Sequence, residues 1–155
     1  MSVLTLWIDA DAAPREVKEI IFRAALRLEI PAVLVANTRM QTPANNPFVT
    51  AVRVGGGPDV ADDHIAEEAS GGDLAITADI PLASRLVEKG VTTLDPRGEV
   101  YTEANIGERL SVRDFMQSLR DSGVETGGPK PWSQKDKQAF ANALDRTLTR
   151  MLPRA

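Results

Sequence analysis

Residues 3–36 read VLTLWIDADAAPREVKEIIFRAALRLEIPAVLVA, and the fold class follows from how the hydrophobic period changes within that stretch. Val3 to Ile8 is a mostly apolar run that stops at Asp9-Ala10-Asp11-Ala12-Ala13-Pro14. Proline suits the start of a helix, and Val17, Ile20, Ile21, Ala24 and Leu28 then recur at helical spacing, giving one core-facing stripe. Pro31 ends that helix. Ala32 to Ala36 is an unbroken run of small and branched residues, as expected of a strand covered on both faces of a parallel sheet. Strand, helix and strand in that order make a βαβ unit.

The alternation continues outward. Residues 38–50 hold two prolines and little periodicity and read as a loop before a short strand, Ala51 to Val54. Gly55-Gly56-Gly57-Pro58 breaks that strand and leads into a helix from about Asp59 to Ala69. Leu74 to Thr77 is the next buried strand, ending at Asp79; Pro81 opens a helix that stops at Gly90, and Val91 to Leu94 is a fifth strand ending at Asp95-Pro96-Arg97-Gly98. Asn105 with Glu108 is a capping pair for a helix whose stripe is Val112, Phe115, Met116 and Leu119, with Gly123 as its stop. Ser133 with Asp136 caps a last helix with the stripe Phe140, Ala143, Leu144, Leu148 and Met151. The expected architecture is a single α/β domain over residues 1–155, three-layered, with a mainly parallel central sheet of 4–5 strands flanked by helices. Residues 1–123 form its α/β core, 124–132 a linker and 133–152 the C-terminal helix, the last two helices packing on the sheet or on a partner.

Composition narrows the chemistry. The 155 residues include no cysteine and one histidine, His64, which excludes disulfides, thiolate metal sites, a cysteine nucleophile and His-rich zinc sites. No run of about 18 apolar residues and no secretory leader pattern is present, so a cytoplasmic protein without membrane contact is expected. Residues 1–127 carry 12 Lys/Arg against 20 Asp/Glu, whereas residues 128–155 carry 6 against 2. An acidic body with a basic tail suits a cation site beside a nucleic-acid contact, and equally a solvated helix with a basic face.

What remains is carboxylate chemistry. Ligand crevices of open parallel sheets lie outside the carboxyl ends of the strands, where this chain places Asp9, Asp11, Asp79 and Asp95. Asp59, Asp62 and Asp63 add acids at i, i+3 and i+4 along one helix. Gathered carboxylates repel unless a cation or basic group joins them. Hard oxygen ligands without thiolate or imidazole partners select Mg²⁺ or Mn²⁺. Several acids also have plain structural readings: Asp11, Asp59 and Asp79 as helix caps, Asp63 as a solvated surface acid and Asp95 as a turn former. A carboxylate directly after a buried strand, as at Asp9, is costly unless paired, so its functional reading is the strongest. Spacing does not decide between Asp62 and Asp63. The triglycine run lacks the Lys-Ser/Thr of a P-loop and the spaced glycines of a dinucleotide site, and Ser84 and Ser111 have no histidine partner.

Several segments carry a family resemblance: Ile8-Asp9-Ala10-Asp11-Ala12, Val35-Ala36-Asn37, Gly57-Pro58-Asp59-Val60-Ala61-Asp62-Asp63, Thr77-Ala78-Asp79-Ile80-Pro81-Leu82-Ala83, Asp95-Pro96-Arg97-Gly98, Asn105-Ile106-Gly107-Glu108-Arg109, and Ser133-Gln134 with Ala141-Asn142-Ala143-Leu144. Together they resemble the YaiI/YqxD family of uncharacterised bacterial proteins across nearly the whole chain. That family is similar in fold to PIN-like nuclease domains, which implies acids that bind Mg²⁺ or Mn²⁺ and cleave RNA. By the resemblance Asp9, Asp62 or Asp63, and Asp79 are the catalytic and metal-binding acids, Asp11 an additional ligand or supporting group, and Thr77 a neighbour of Asp79. Ala13 departs from the family pattern, which often has cysteine there.

The leading expectation is therefore a metal-dependent nuclease of PIN-like type, with Asn37, Thr77, Arg53 and Arg97 contacting substrate, Arg15 and Arg85 as further phosphate contacts, and the basic last helix following an RNA strand. Two other readings stand beside it. Asp9-x-Asp11 resembles the start of a haloacid-dehalogenase-type phosphatase with an aspartate nucleophile, and a non-catalytic RNA-binding or regulatory module fits the same charges.

Overall fold

The computed structural model describes residues 4–128 and 130–153. Val3, the expected start of the first strand, and Pro129 of the linker lie outside them. The elements are β1 (Leu6–Asp9), α1 (Arg15–Leu28), β2 (Ala32–Ala36), β3 (Val49–Arg53), α2 (Val60–Glu68), β4 (Leu74–Ile76), α3 (Ile80–Glu88), β5 (Thr92–Leu94), β6 (Val100–Tyr101), α4 (Glu103–Asp121) and α5 (Gln134–Met151). The α/β class and the parallel sheet are as expected, with one strand more than the sequence suggested. The sheet has six strands in the order β3-β2-β1-β4-β5-β6, and only the two-residue β6 is antiparallel. A strand that short carries no periodic signal of its own.

Strand parity sorts the two faces. Leu6, Ile8, Leu34, Leu74, Ile76 and Leu94 pack with Val17, Ile21 and Ala24 of α1 and with Phe140, Leu144 and Leu148 of α5. On the other face Val35 and Ala75 pack with Ile65 of α2 and Leu82 and Leu86 of α3, with Trp7, Val33 and Val52 at the margin. The stripe read for the last helix is thus core, anchored by the fully buried Phe140. The helix before it differs: α4 buries no residue, and Val112 and Phe115 of its stripe are exposed. Its cap also differs from the Asn105/Glu108 pair. Thr102 and Asn105 form the capping box, because the chain leaves β6 at Tyr101 and Thr102 is the first residue free to take the extended Ncap conformation. The Ser133/Asp136 box of α5 is present as expected.

The order of strands matters for function. From β1 the chain moves outward to β2 and β3, then crosses back on the opposite face to β4 and β5. The direction of winding reverses between β1 and β4, and at such a switch point the connecting segments diverge and leave a crevice at the strand ends.

Candidate functional site

Asp9 ends β1 and Thr77 follows β4, so both stand at that crevice. Asp9 and Thr77 share the parity of Trp7 and Ala75 and point toward the α2/α3 layer. Asp9 is 7% exposed, Thr77 2%. The Thr77 hydroxyl donates to Asp9 Oδ2 at 2.9 Å and accepts from the Asp79 N–H at 3.0 Å. Asp79 in turn caps α3, its Oδ1 accepting from Leu82 N at 2.9 Å. One buried hydroxyl therefore fixes the first acid and the turn that presents the third. Thr77 is a bracket inside the site, bonded to both Asp9 and the Asp79 backbone.

Asp62 completes the group. It lies in the first turn of α2, half-buried, and its carboxyl is pushed up to about 7, first by burial and then by the charge of Asp79, a hydrogen bond with Asp79 and the charge of Asp9. Asp9 is also raised, mainly by burial, with Thr77 opposing and Asp79 and Asp11 adding to the rise. Asp63 is turned away: Arg85 Nη1 donates to its Oδ1 at 2.7 Å on the exposed side of α2. Of the two acids that spacing leaves open, Asp62 thus lies beside Asp79 and Asp9, and Asp63 beside Arg85. Asp59, which precedes α2, makes no side-chain cap and holds a left-handed φ of 63°.

The remaining candidates separate. Asp11 faces the turn after β2, where its carboxylate accepts from Asn37 N at 2.7 Å and Thr38 Oγ1 at 3.2 Å; it caps no helix, since Pro14 stands at the Ncap of α1. Arg53 ends β3 with the parity of Val49, on the face opposite Asp9, and is exposed. Arg97 donates to Asp136 Oδ2 at 2.9 Å and to the Lys130 carbonyl, tying the turn after β5 to α5. Arg15 pairs with Glu19. Asp95 accepts from Arg97 N and Glu99 N within its own turn, and burial raises its carboxyl. A cleft of about 1020 Å³ lies at the opposite edge of the sheet beside Thr5, Trp7 and Asp73. The Asp73 carboxylate there is already taken by Thr5 N, Trp7 Nε1 and Ser70 N.

Asp9, Asp62 and Asp79 gather at the switch point, and no basic side chain is among the causes of the raised carboxyls of Asp9 and Asp62. Among the described residues no three acidic side chains are spaced to close around one ion. Mg²⁺ is ordinarily held by only one or two carboxylates with water in the remaining positions, a smaller donor set than a closed cage of three. Because the Thr77 hydroxyl serves two partners, Thr77→Val, close in shape, is expected to cost about 1–3 kcal/mol by leaving Asp9 Oδ2 and the Asp79 N–H short of a partner. Thr77→Ser should retain most of that stability, and urea denaturation of the two variants measures the difference.

Fold and site together define an α/β protein with a carboxylate cluster at the switch point of a mainly parallel sheet. Residues 7–150 match the family model described as uncharacterized BCR, YaiI/YqxD family, and the chain belongs to that family. It is 56% identical over 152 residues to a UPF0178 protein of Trichlorobacter lovleyi, covering 98% of each chain. A UPF0178 protein of Myxococcus xanthus is 57% identical over 149 residues, 96% of this chain and 97% of that one. One from Shewanella baltica is 54% identical over 151 residues, 97% of this chain and all of that one. No solved structure matches. Among the described residues no helix is long and apolar enough to cross a membrane.

Proposed function

We propose that this protein is a divalent-cation-dependent phosphodiester hydrolase of PIN-like type acting on RNA. The observation that carries the reading is the convergence of Asp9, Asp62 and Asp79 at the switch point, with Asp62 driven to about 7 and no basic side chain among the causes of its shift. Structural acids of this kind are normally neutralised by arginine or lysine, as Asp63 is by Arg85. Asp9 and Asp79 would hold Mg²⁺ or Mn²⁺, with Asp62 beside them. The cation, when bound, supplies charge against a phosphodiester and lowers the pKa of a neighbouring water.

The chain's own contribution is positional and protonic. Thr77 holds Asp9 Oδ2, which leaves Oδ1 free of that bond. The α3 N-terminus, capped by Asp79, adds the favourable end of a helix dipole for an anionic substrate. Asp62, with a pKa near neutrality, is suited to accept a proton from an attacking water. Asp11 is held at both oxygens by Asn37 N and Thr38 Oγ1, an arrangement that does not favour a general acid free to reach a leaving group.

Calorimetric titration with Mn²⁺ tests the centre before a substrate is chosen. Wild type is expected to bind, and Asp9→Asn to bind at least about 10-fold more weakly, since removing a first ligand exceeds the loss usual for supporting partners. Wild type should cleave RNA with Mn²⁺ and not in EDTA. Absence of Mn²⁺ binding by wild type with added oligonucleotide, or equal cleavage by Asp9→Asn, overturns the reading.

A further inference from the structure

The stripe Val112, Phe115, Met116 and Leu119 of α4 has the spacing of a core face and lies outside the core. The reason is length. α4 has 19 residues and α3, the helix it packs on, has 9, so α4 runs about 28 Å against about 13 Å and overhangs its support. Its direction is fixed by successive contacts. Asn105 Nδ2 donates to the Val100 carbonyl at 2.9 Å, and one turn later Arg109 reaches Glu99 and stacks over the Tyr101 ring at 4.9 Å. Glu99 borders the end of β5, the edge at which Asp9 and Thr77 end their own strands. The helix therefore climbs toward the carboxyl edge of the sheet, and its second half extends past the nine-residue α3 on that side.

That half is exposed without a break from Ser111 to Phe115. Phe115 is 62% exposed and Val112 55%, with Val124 beyond the helix end also exposed. One margin of the stripe is basic: Arg109, Arg113 and Arg120 fall at i, i+4 and i+11 beside Met116. Among the described residues Arg120 donates to Gln117 and Thr126, both neutral, and Arg113 pairs with its exposed neighbour Asp114. Asp114 and Asp121 lie on the far side of the helix, and Glu108 sits at the lower end of the stripe near the acidic edge. An antiparallel pair of such helices related by a two-fold axis would bring the two arginine margins together, so a second copy is disfavoured by charge in that arrangement.

Resting on the hydrolase reading above, we propose that the overhanging half of α4 seats an unpaired strand of RNA as it leaves the acidic crevice. A base stacks on Phe115 against Val112 and Met116, and flanking phosphates meet Arg113 and Arg120. An aromatic ring beside cations suits single strands, because every base offers a face for stacking and the backbone supplies the charge. A paired helix keeps its bases stacked and offers Phe115 nothing.

Binding is measured by fluorescence anisotropy with a labelled 12-nucleotide oligouridine and a hairpin duplex as probes, in EDTA, so that neither cation nor cleavage enters. The single strand is expected to bind tighter than the duplex, and Phe115→Ala to weaken it on the order of 10-fold. Arg120→Gln should lower the slope of log affinity against log salt by about 0.7. Both residues are exposed, so both variants should keep the wild-type melting temperature. Unchanged single-strand affinity in Phe115→Ala, or equal affinity for the duplex, overturns the proposal. So does a wild-type dimer that Phe115→Ala converts to monomer with RNA affinity unchanged, which would make the stripe a contact between copies. RNA binding that depends on Phe115 without Mn²⁺-dependent cleavage would remove the hydrolase reading and leave this one standing.

Discussion

Replacing Gly98 with alanine is expected to destabilise the protein by about 3–5 kcal/mol, from a left-handed backbone and an overpacked contact together. Gly98 has φ of 89°, where a side chain is strained, and an added Cβ would stand 2.6 Å from the Ala139 carbonyl oxygen and 2.7 Å from its carbon. Both are helix backbone in α5 and cannot rotate aside. The turn at Asp95-Pro96-Arg97-Gly98 is pinned to the same region by Trp132 Nε1 donating to the Pro96 carbonyl at 2.8 Å and by Arg97 on Asp136. Relief therefore requires the turn and α5 to separate, which would draw Phe140 from the core. Chemical denaturation reads the loss directly. A change below about 1 kcal/mol would mean that the close approach of turn and helix is not maintained in solution. Gly123, also at positive φ but with nothing near its Cβ position, is the control, for which strain alone predicts about 1–2 kcal/mol.

The contrast between these two glycines indicates what was legible in the sequence. Gly98 reads as part of a turn after a strand and Gly123 as a helix stop, and such signals carry backbone conformation without saying what approaches from another part of the chain. The same division runs through the fold. The βαβ unit at residues 3–36 was readable because its periods, its proline and its buried strand are local. Strand β6 was not, since two residues paired with a neighbour leave no pattern. The α4 stripe was readable as apolar and helical, yet its exposure depends on α3 being shorter than α4, a comparison between elements that periodicity does not make. In the site, Asp9 was the clearest residue because its cost arises from position after a buried strand. Asp62 and Asp63 were indistinguishable because they differ only in what faces them: Asp79 for one and Arg85 for the other. Thr102-x-x-Asn105 carries a capping motif, but what selects it over Asn105 with Glu108 is the edge strand β6, which leaves no pattern of its own.

Asp62→Asn is expected to stabilise the cation-free protein by about 1–2 kcal/mol at pH 8, the half-exposed position discounting what its shift alone would imply. In the unfolded chain Asp62 returns to its ordinary value of 3.8, whereas in the fold it is raised to about 7. The native state then binds more protons than the unfolded state between those values, so stability falls as pH rises through that window and the loss is complete above about 7. Asp9, raised by burial, acts in the same direction. Asparagine keeps a donor toward Asp79 without gaining a charge, so the variant should flatten the decline in stability between about pH 4 and 7 in EDTA. Mn²⁺ should restore in wild type much of what deprotonation removes, because a ligand that binds only the native state adds stability as its concentration exceeds its dissociation constant. Its affinity should rise with pH through about 7, with protons released on binding. Melting temperatures of the two proteins across pH, with EDTA and with Mn²⁺, separate these effects. Parallel profiles for wild type and variant in EDTA would show that Asp62 titrates normally and that the acids at the switch point do not share their charge.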